Sequence, residues 1–185
     1  MVAGGLAAIL ALAGGVVLGR KVIEGKDPQQ PPRAGQLTRF QEPITRVSIA
    51  YPASWTRLRS SDLEIRLLVA ADPSTSLLMR VTKTGLATVT SRSLPVVKSY
   101  TDALLKQDTR ARQLSAPAAI DLGGLPGWRY RYTYGADDTS GAHVHYFLFK
   151  DGRLIQLVFQ AVPPSRLNAL EPTFDRIAGT FRGAG

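Results

Sequence analysis

The chain of 185 residues contains no cysteine. That absence excludes a disulfide scaffold, a thiolate metal site, a cysteine nucleophile and a lipid carried on an N-terminal cysteine. Histidine occurs only twice, at His143 and His145. A serine triad would therefore depend on one of two neighbouring residues, and no G-x-S-x-G elbow is present to supply the nucleophile. Neither G-x-x-x-x-G-K-[ST] nor G-x-G-x-x-G occurs, so the usual backbone cradles for nucleotide phosphates are missing. No catalytic residue, no metal and no cofactor is expected.

What is present reads as one folded domain. The composition, 44% hydrophobic and 20% charged, is too apolar for a disordered chain and too polar for a many-pass membrane protein. Lys and Arg number 23 against 14 Asp and Glu, and after residue 26 the balance is still 20 to 13, so the domain is basic in its own right. A basic field favours anionic lipid, wall polymer, nucleic acid or an acidic protein as neighbours. The basic residues are scattered singly, with Arg20-Lys21 as the one adjacent pair, which reads as a solvated basic surface. No nucleic-acid partner is expected.

Residues 2–19, VAGGLAAILALAGGVVLG, carry no charge. As a helix they would measure about 27 Å against a hydrocarbon core of about 30 Å. Ala11-Leu12-Ala13 has the small-x-small form of a signal-peptidase site, but the missing basic n-region favours an uncleaved anchor. Arg20, Lys21 and Lys26 follow the run, and the positive-inside rule read literally keeps the domain in the cytoplasm. We expect instead an upstream basic stretch lost to a misassigned start, and a single-pass protein with its domain outside the cell membrane. The expected organisation is an anchor over residues 1–23, a Pro/Gln-rich linker over 24–37 and an α+β domain over 38–182.

Within the domain, alternation predicts strands over Thr45–Tyr51, ended by Pro52, and over Glu64–Ala71 and Ser76–Thr84, joined at Asp72-Pro73-Ser74. A helix capped by Ser93, with Pro95 in its first turn, carries Leu94, Val97, Tyr100, Thr101, Leu104 and Leu105 at helical spacing. A strand is expected near Arg112–Ile120, and GGLPG at 123–127 as a turn. In WRYRYTY, residues 128–134, Trp128, Tyr130, Tyr132 and Tyr134 share one face while Arg129, Arg131 and Thr133 share the other. Asp151-Gly152 is the pair a type I′ hairpin requires, and it sets Phe149 opposite Leu154 and, stepwise, His143 opposite Gln160. One face of that hairpin is then wholly apolar. The other, with His143, His145, Phe147, Phe149, Leu154, Gln156, Val158 and Gln160, is mixed and suits partial cover by a helix or a partner. A last helix from Ser165 carries Leu167, Leu170, Phe174 and Ile177, with a kink at Pro172 and a stop at Gly179.

Four residues are candidates for weak ligand binding. Arg129 and Arg131 suit phosphate, sulfate or carboxylate, or else form the solvated outer face of an edge strand. His143 and His145 share a face and both reach one point, but no third metal ligand is evident, and two exposed strand residues are the plainer reading. Asp137 and Asp138 read as loop residues rather than calcium ligands.

The order SIAYPASW (48–55), LGGLPGWRYRY (122–132), the Asp151-Gly152 hairpin and FDRIAGTFR (174–182) resembles the Mog1/PsbP-like superfamily, in particular its actinobacterial envelope members of LpqN type. The resemblance covers roughly residues 38–182. It implies an antiparallel sheet flanked by helices, a non-catalytic accessory or docking role on an envelope component, and no transferable binding residue. The lipobox cysteine of lipoprotein relatives is absent here, leaving residues 2–19 to provide the membrane attachment. The alternative is a domain that binds a small anionic ligand or lipid through the half-covered hairpin face and Arg129 or Arg131.

Overall fold

The computed structural model describes residues 35–183 except 87 and 136–139. The expected anchor, most of the linker and the Asp137-Asp138 loop lie outside the described residues. Among the described residues no helix is long and apolar enough to cross a membrane.

The strands are β1 (Leu37–Gln41), β2 (Ser48–Pro52), β3 (Thr56–Arg57), β4 (Ile65–Asp72), β5 (Thr75–Lys83), β6 (Arg112–Gln113), β7 (Ala118–Leu122), β8 (Leu125–Tyr134), β9 (Gly141–Lys150) and β10 (Arg153–Ala161). The helices are α1 (Lys98–Lys106) and α2 (Leu167–Ala178). An eight-stranded antiparallel sheet has the order β3-β4-β5-β10-β9-β8-β6, with β7 also paired to β8, and β1 and β2 form a separate two-stranded sheet.

The period-two pattern places the two faces of the large sheet in different cores. On one face Leu67, Met79, Val144, Leu148, Ile155, Leu157 and Phe159 pack with Ile49 and Tyr51 of β2 and with Leu167, Phe174 and Ile177 of α2. On the other, Trp128, Tyr130, Tyr132, Tyr134, Phe147, Phe149 and Leu154 pack under Leu94, Val97, Leu104 and Leu105 of α1 and its approach. The result is three layers, with α1 on one side of the sheet and α2 with β1–β2 on the other. The chain closes by pairing Ser48 with Arg182, two backbone hydrogen bonds of 2.9 and 2.8 Å.

The β9–β10 hairpin has the register that its turn dictates, Phe149 opposite Leu154 through His143 opposite Gln160, with Asp151 and Gly152 both at positive φ. Other boundaries differ from expectation for identifiable reasons. Ser93 does not cap a helix, because its hydroxyl is engaged with Thr90, accepting from the Thr90 amide at 2.9 Å, and the chain turns through Pro95 before α1 begins at Lys98. The strand expected over 112–120 is two strands, parted around Pro117, which has no N–H to give the ladder. Of GGLPG only Gly123-Gly124 turn, at φ +61° and +83°, while Leu125 onward belongs to β8. α2 begins at Leu167 after a single tight turn at Pro164–Arg166, without a Ser165 cap, and continues through Pro172.

Candidate functional site

The four predicted residues fall on opposite faces of the sheet, so the structure does not bring the arginine pair together with the histidine pair. Strand alternation decides this. Arg129 lies opposite Tyr146 and Arg131 opposite Val144 on the α2 face, whereas His143 lies opposite Tyr132 and His145 opposite Tyr130 on the α1 face.

On the α2 face, β8 is an interior strand rather than an edge, held by β9 on one side and by β7 and β6 on the other. Its arginines meet α2 instead of open solvent. Glu171 bridges them, one oxygen accepting from Arg129 and the other from Arg131 at 2.9 Å. Arg131 also donates to Asn168 Oδ1 at 3.3 Å, and Tyr146 donates to Asp175 at 3.1 Å. Burial pushes the Tyr146 hydroxyl up to about 12. The cluster is therefore charge-compensated, and it ties α2 to the sheet.

On the α1 face the histidines are buried, with exposures of 3% and 5%, which corrects the expectation of two exposed strand residues. They are covered because the aromatic stripe of β8 stands beside them. His143 stacks on Tyr134 at 4.2 Å between centroids and His145 on Phe147 at 3.9 Å. The Tyr132 hydroxyl lies 3.1 Å from Nδ1 of both rings. Beyond them, His145 Nε2 is 3.1 Å from Gln156 Oε1 and His143 Nε2 is 3.4 Å from Gln160 Oε1. Five side chains thus form one buried hydrogen-bonded chain. Burial pushes His143 down to about 4 and, with the neighbouring His143 adding to it, His145 down to about 3. Both are neutral near pH 7. The ring nitrogens that face each other are occupied by Tyr132, and among the described residues no group of three metal-ligating side chains occurs.

Beside this chain the sheet is open. Leu58, Leu68, Ala70, Leu78 and Val158 line a narrow crevice of about 40 Å³, with Asp72, Ser76, His143 and Gln160 as its polar members. The hairpin face, expected to be only partly covered, is buried except at Gln160, and the strands that complete the crevice were not assigned to it. Sequence reasoning also missed Arg80, 1% exposed and paired with Asp62 at 3.1 Å and Glu64 at 2.6 Å. The available signal was a charge in the middle of an apolar strand, LLMRV, soon after two carboxylates.

By sequence the chain matches no protein-family model and no curated protein. By structure it is similar to cyanobacterial PsbP (CyanoP) from Synechocystis sp. PCC 6803, at a TM-score of 0.57 and 17% identity, over 89% of this chain and 98% of that one. It is likewise similar to LpqN of Mycobacterium tuberculosis, a protein involved in cell envelope biogenesis, at a TM-score of 0.59 and 17% identity, over 80% and 90% of the two chains. The domain has a PsbP-like fold. An identity of 17% with each carries no side chain across.

Proposed function

We propose that the chain is a membrane-anchored, non-catalytic accessory protein whose PsbP-like domain lies outside the cell membrane and docks on another component of the envelope. The observation that carries the reading is one of organisation: an uncharged run at residues 2–19 and a Pro/Gln-rich spacer precede a domain with the fold of an envelope-biogenesis protein. The neutral histidines and the arginines of β8 are engaged with neighbours, so these interior polar groups serve the fold. Protease treatment of intact and lysed cells, with a tag fused after Gly185, tests the placement. Degradation of the tag in intact cells is expected; protection until lysis would put the domain in the cytoplasm and end the envelope reading.

The crevice beside His143 favours a second reading, in which the domain holds a lipid chain. Its floor is apolar and its width is slight, so a single alkyl chain suits it and a ring system does not. Irradiation of membranes containing the full chain and a diazirine-bearing fatty acid should label β4, β5 and β10, and Leu78→Trp should remove the label. Labelling spread over the surface, or unchanged in the variant, would leave this reading without support.

A further inference from the structure

At the outer edge of the large sheet, β3 is only two residues long, so among the described residues most of β4 has no partner strand on its outer side. The ladder continues for one bond, from the Leu58 amide to the Leu68 carbonyl at 2.8 Å, and then stops. Here β4 also carries an irregularity: Ile65 pairs with Arg80 and Leu67 with Met79, leaving Arg66 as the extra residue of a bulge. A bulge at an open edge turns a side chain away from the regular alternation. The space beside it is a groove of about 510 Å³, within the usual range for small-ligand sites, lined by Arg57, Arg59, Ser60 and Arg66 over Leu58, Ile65 and Leu68.

The charge in this groove is unbalanced. No carboxylate is among the lining residues. Arg57 stacks over the Phe40 ring at 5.2 Å, which fixes its direction without neutralising it. Arg66 Nε faces Glu42 Oε1 at 3.6 Å, while the other oxygen of Glu42 accepts from the Ile44 amide and from the amide and hydroxyl of Thr45, so one of the three arginines carries a buried counter-charge. Arg66 Nε and Glu42 Oε1 are both buried, and neither has a closer hydrogen-bond partner among the described residues. Asp62 and Glu64, close in sequence, are turned to Arg80. Ser60 accepts from the Asp62 amide at 3.1 Å and keeps its own proton to donate. Three guanidinium groups against one buried carboxylate, together with the Ser60 hydroxyl proton, match a tetrahedral oxyanion better than a planar carboxylate, which one guanidinium would satisfy.

We infer that this groove binds a phosphate group, held by Arg57, Arg59 and Arg66 with the Ser60 hydroxyl. The site goes beyond the envelope reading and does not depend on it, because the protease test and the titration below can fail separately. The phosphate comes from a soluble phosphate or phosphate ester, or from a lipid headgroup, and the chemistry of the groove is the same for both.

The test uses the full chain in dodecyl maltoside micelles, with the arginine Nε–H signals followed by NMR at constant ionic strength. One arm titrates inorganic phosphate against chloride; the other dopes the micelles with phosphatidylglycerol. Saturable shifts of Arg59 and Arg66 are expected in at least one arm, and Arg59→Gln, an exposed change, should weaken binding about tenfold while leaving the amide spectrum folded. A response to inorganic phosphate assigns a soluble ligand, and a response to doped micelles alone assigns a headgroup. No saturable shift in either arm, or the same affinity in Arg59→Gln, overturns the inference.

Discussion

Tyr132 has one hydroxyl proton and two histidine nitrogens within 3.1 Å of its oxygen, so it donates to one ring and accepts from the other. With both rings neutral, His143 and His145 are therefore opposite tautomers. If His145 gives its Nε2 proton to Gln156, its Nδ1 takes the Tyr132 proton, His143 donates from Nδ1, and the Gln160 amide must present its NH2 to His143. The reverse order exchanges the roles of the two glutamines. Either way the protons run in a single direction along the chain, and removing the central hydroxyl breaks it in two. Tyr132→Phe should cost about 2–4 kcal/mol, since a buried donor and a buried acceptor are left without partners. Tyr134 offers the contrast: its hydroxyl is buried with no hydrogen-bond partner among the described residues, so Tyr134→Phe should change stability by less than about 1 kcal/mol. Urea unfolding of the two variants, followed by circular dichroism, compares them. Equal losses would mean that ring packing, rather than the hydrogen-bonded chain, sets the cost.

Among elements, those with both periodicity and punctuation were legible. Asp151-Gly152 set the register of β9 and β10 and thereby the content of each face, and the alternation in WRYRYTY put its aromatics on one face, which α1 covers in the structure. Elements without such signals were not. β1 is mostly exposed and polar, and β3 has two exposed residues, so neither shows an apolar period; their existence depends on pairing with β2 and β4. The candidate site was legible to the same degree. Residue faces follow from alternation alone, but what covers a face is a tertiary fact. Nothing local to β8 says that Glu171, some forty residues later, bridges Arg129 and Arg131. The exposure of the histidines was misjudged for the same reason, because the tyrosines of β8 and the glutamines of β10 that enclose them are supplied from other strands. The arginine groove escaped notice because its members come from a strand end, a loop and a bulge, and a bulge leaves no period to read.

For the molecule as a whole, the buried histidines make the fold lose stability in acid. In the unfolded chain a histidine titrates near 6.5, whereas in the fold burial holds His143 at about 4 and His145 at about 3. The facing groups do not reverse this: the Gln160 contact and the charge of Asp108 raise His143, and the Gln156 contact raises His145, each less than burial lowers it. Between those limits the unfolded chain binds protons that the folded chain refuses, so stability is full above pH 6.5 and is lost as the pH falls. The slope approaches about 3 kcal/mol per pH unit for the pair, and the loss by pH 4.5 is on the order of 4–5 kcal/mol, comparable with the total stability of many domains. Asp102 acts in the same direction at lower pH: although burial alone would raise it, hydrogen bonds from Lys98 and Tyr130 hold it below its ordinary value. Urea midpoints should therefore drop steeply between pH 6.5 and 4.5, and the double variant His143→Gln, His145→Gln should show a much flatter profile over that interval even if it is less stable at pH 7. A variant that loses stability as steeply as the wild type would show that the protons taken up on acid unfolding bind elsewhere, with surface carboxylates the first place to look.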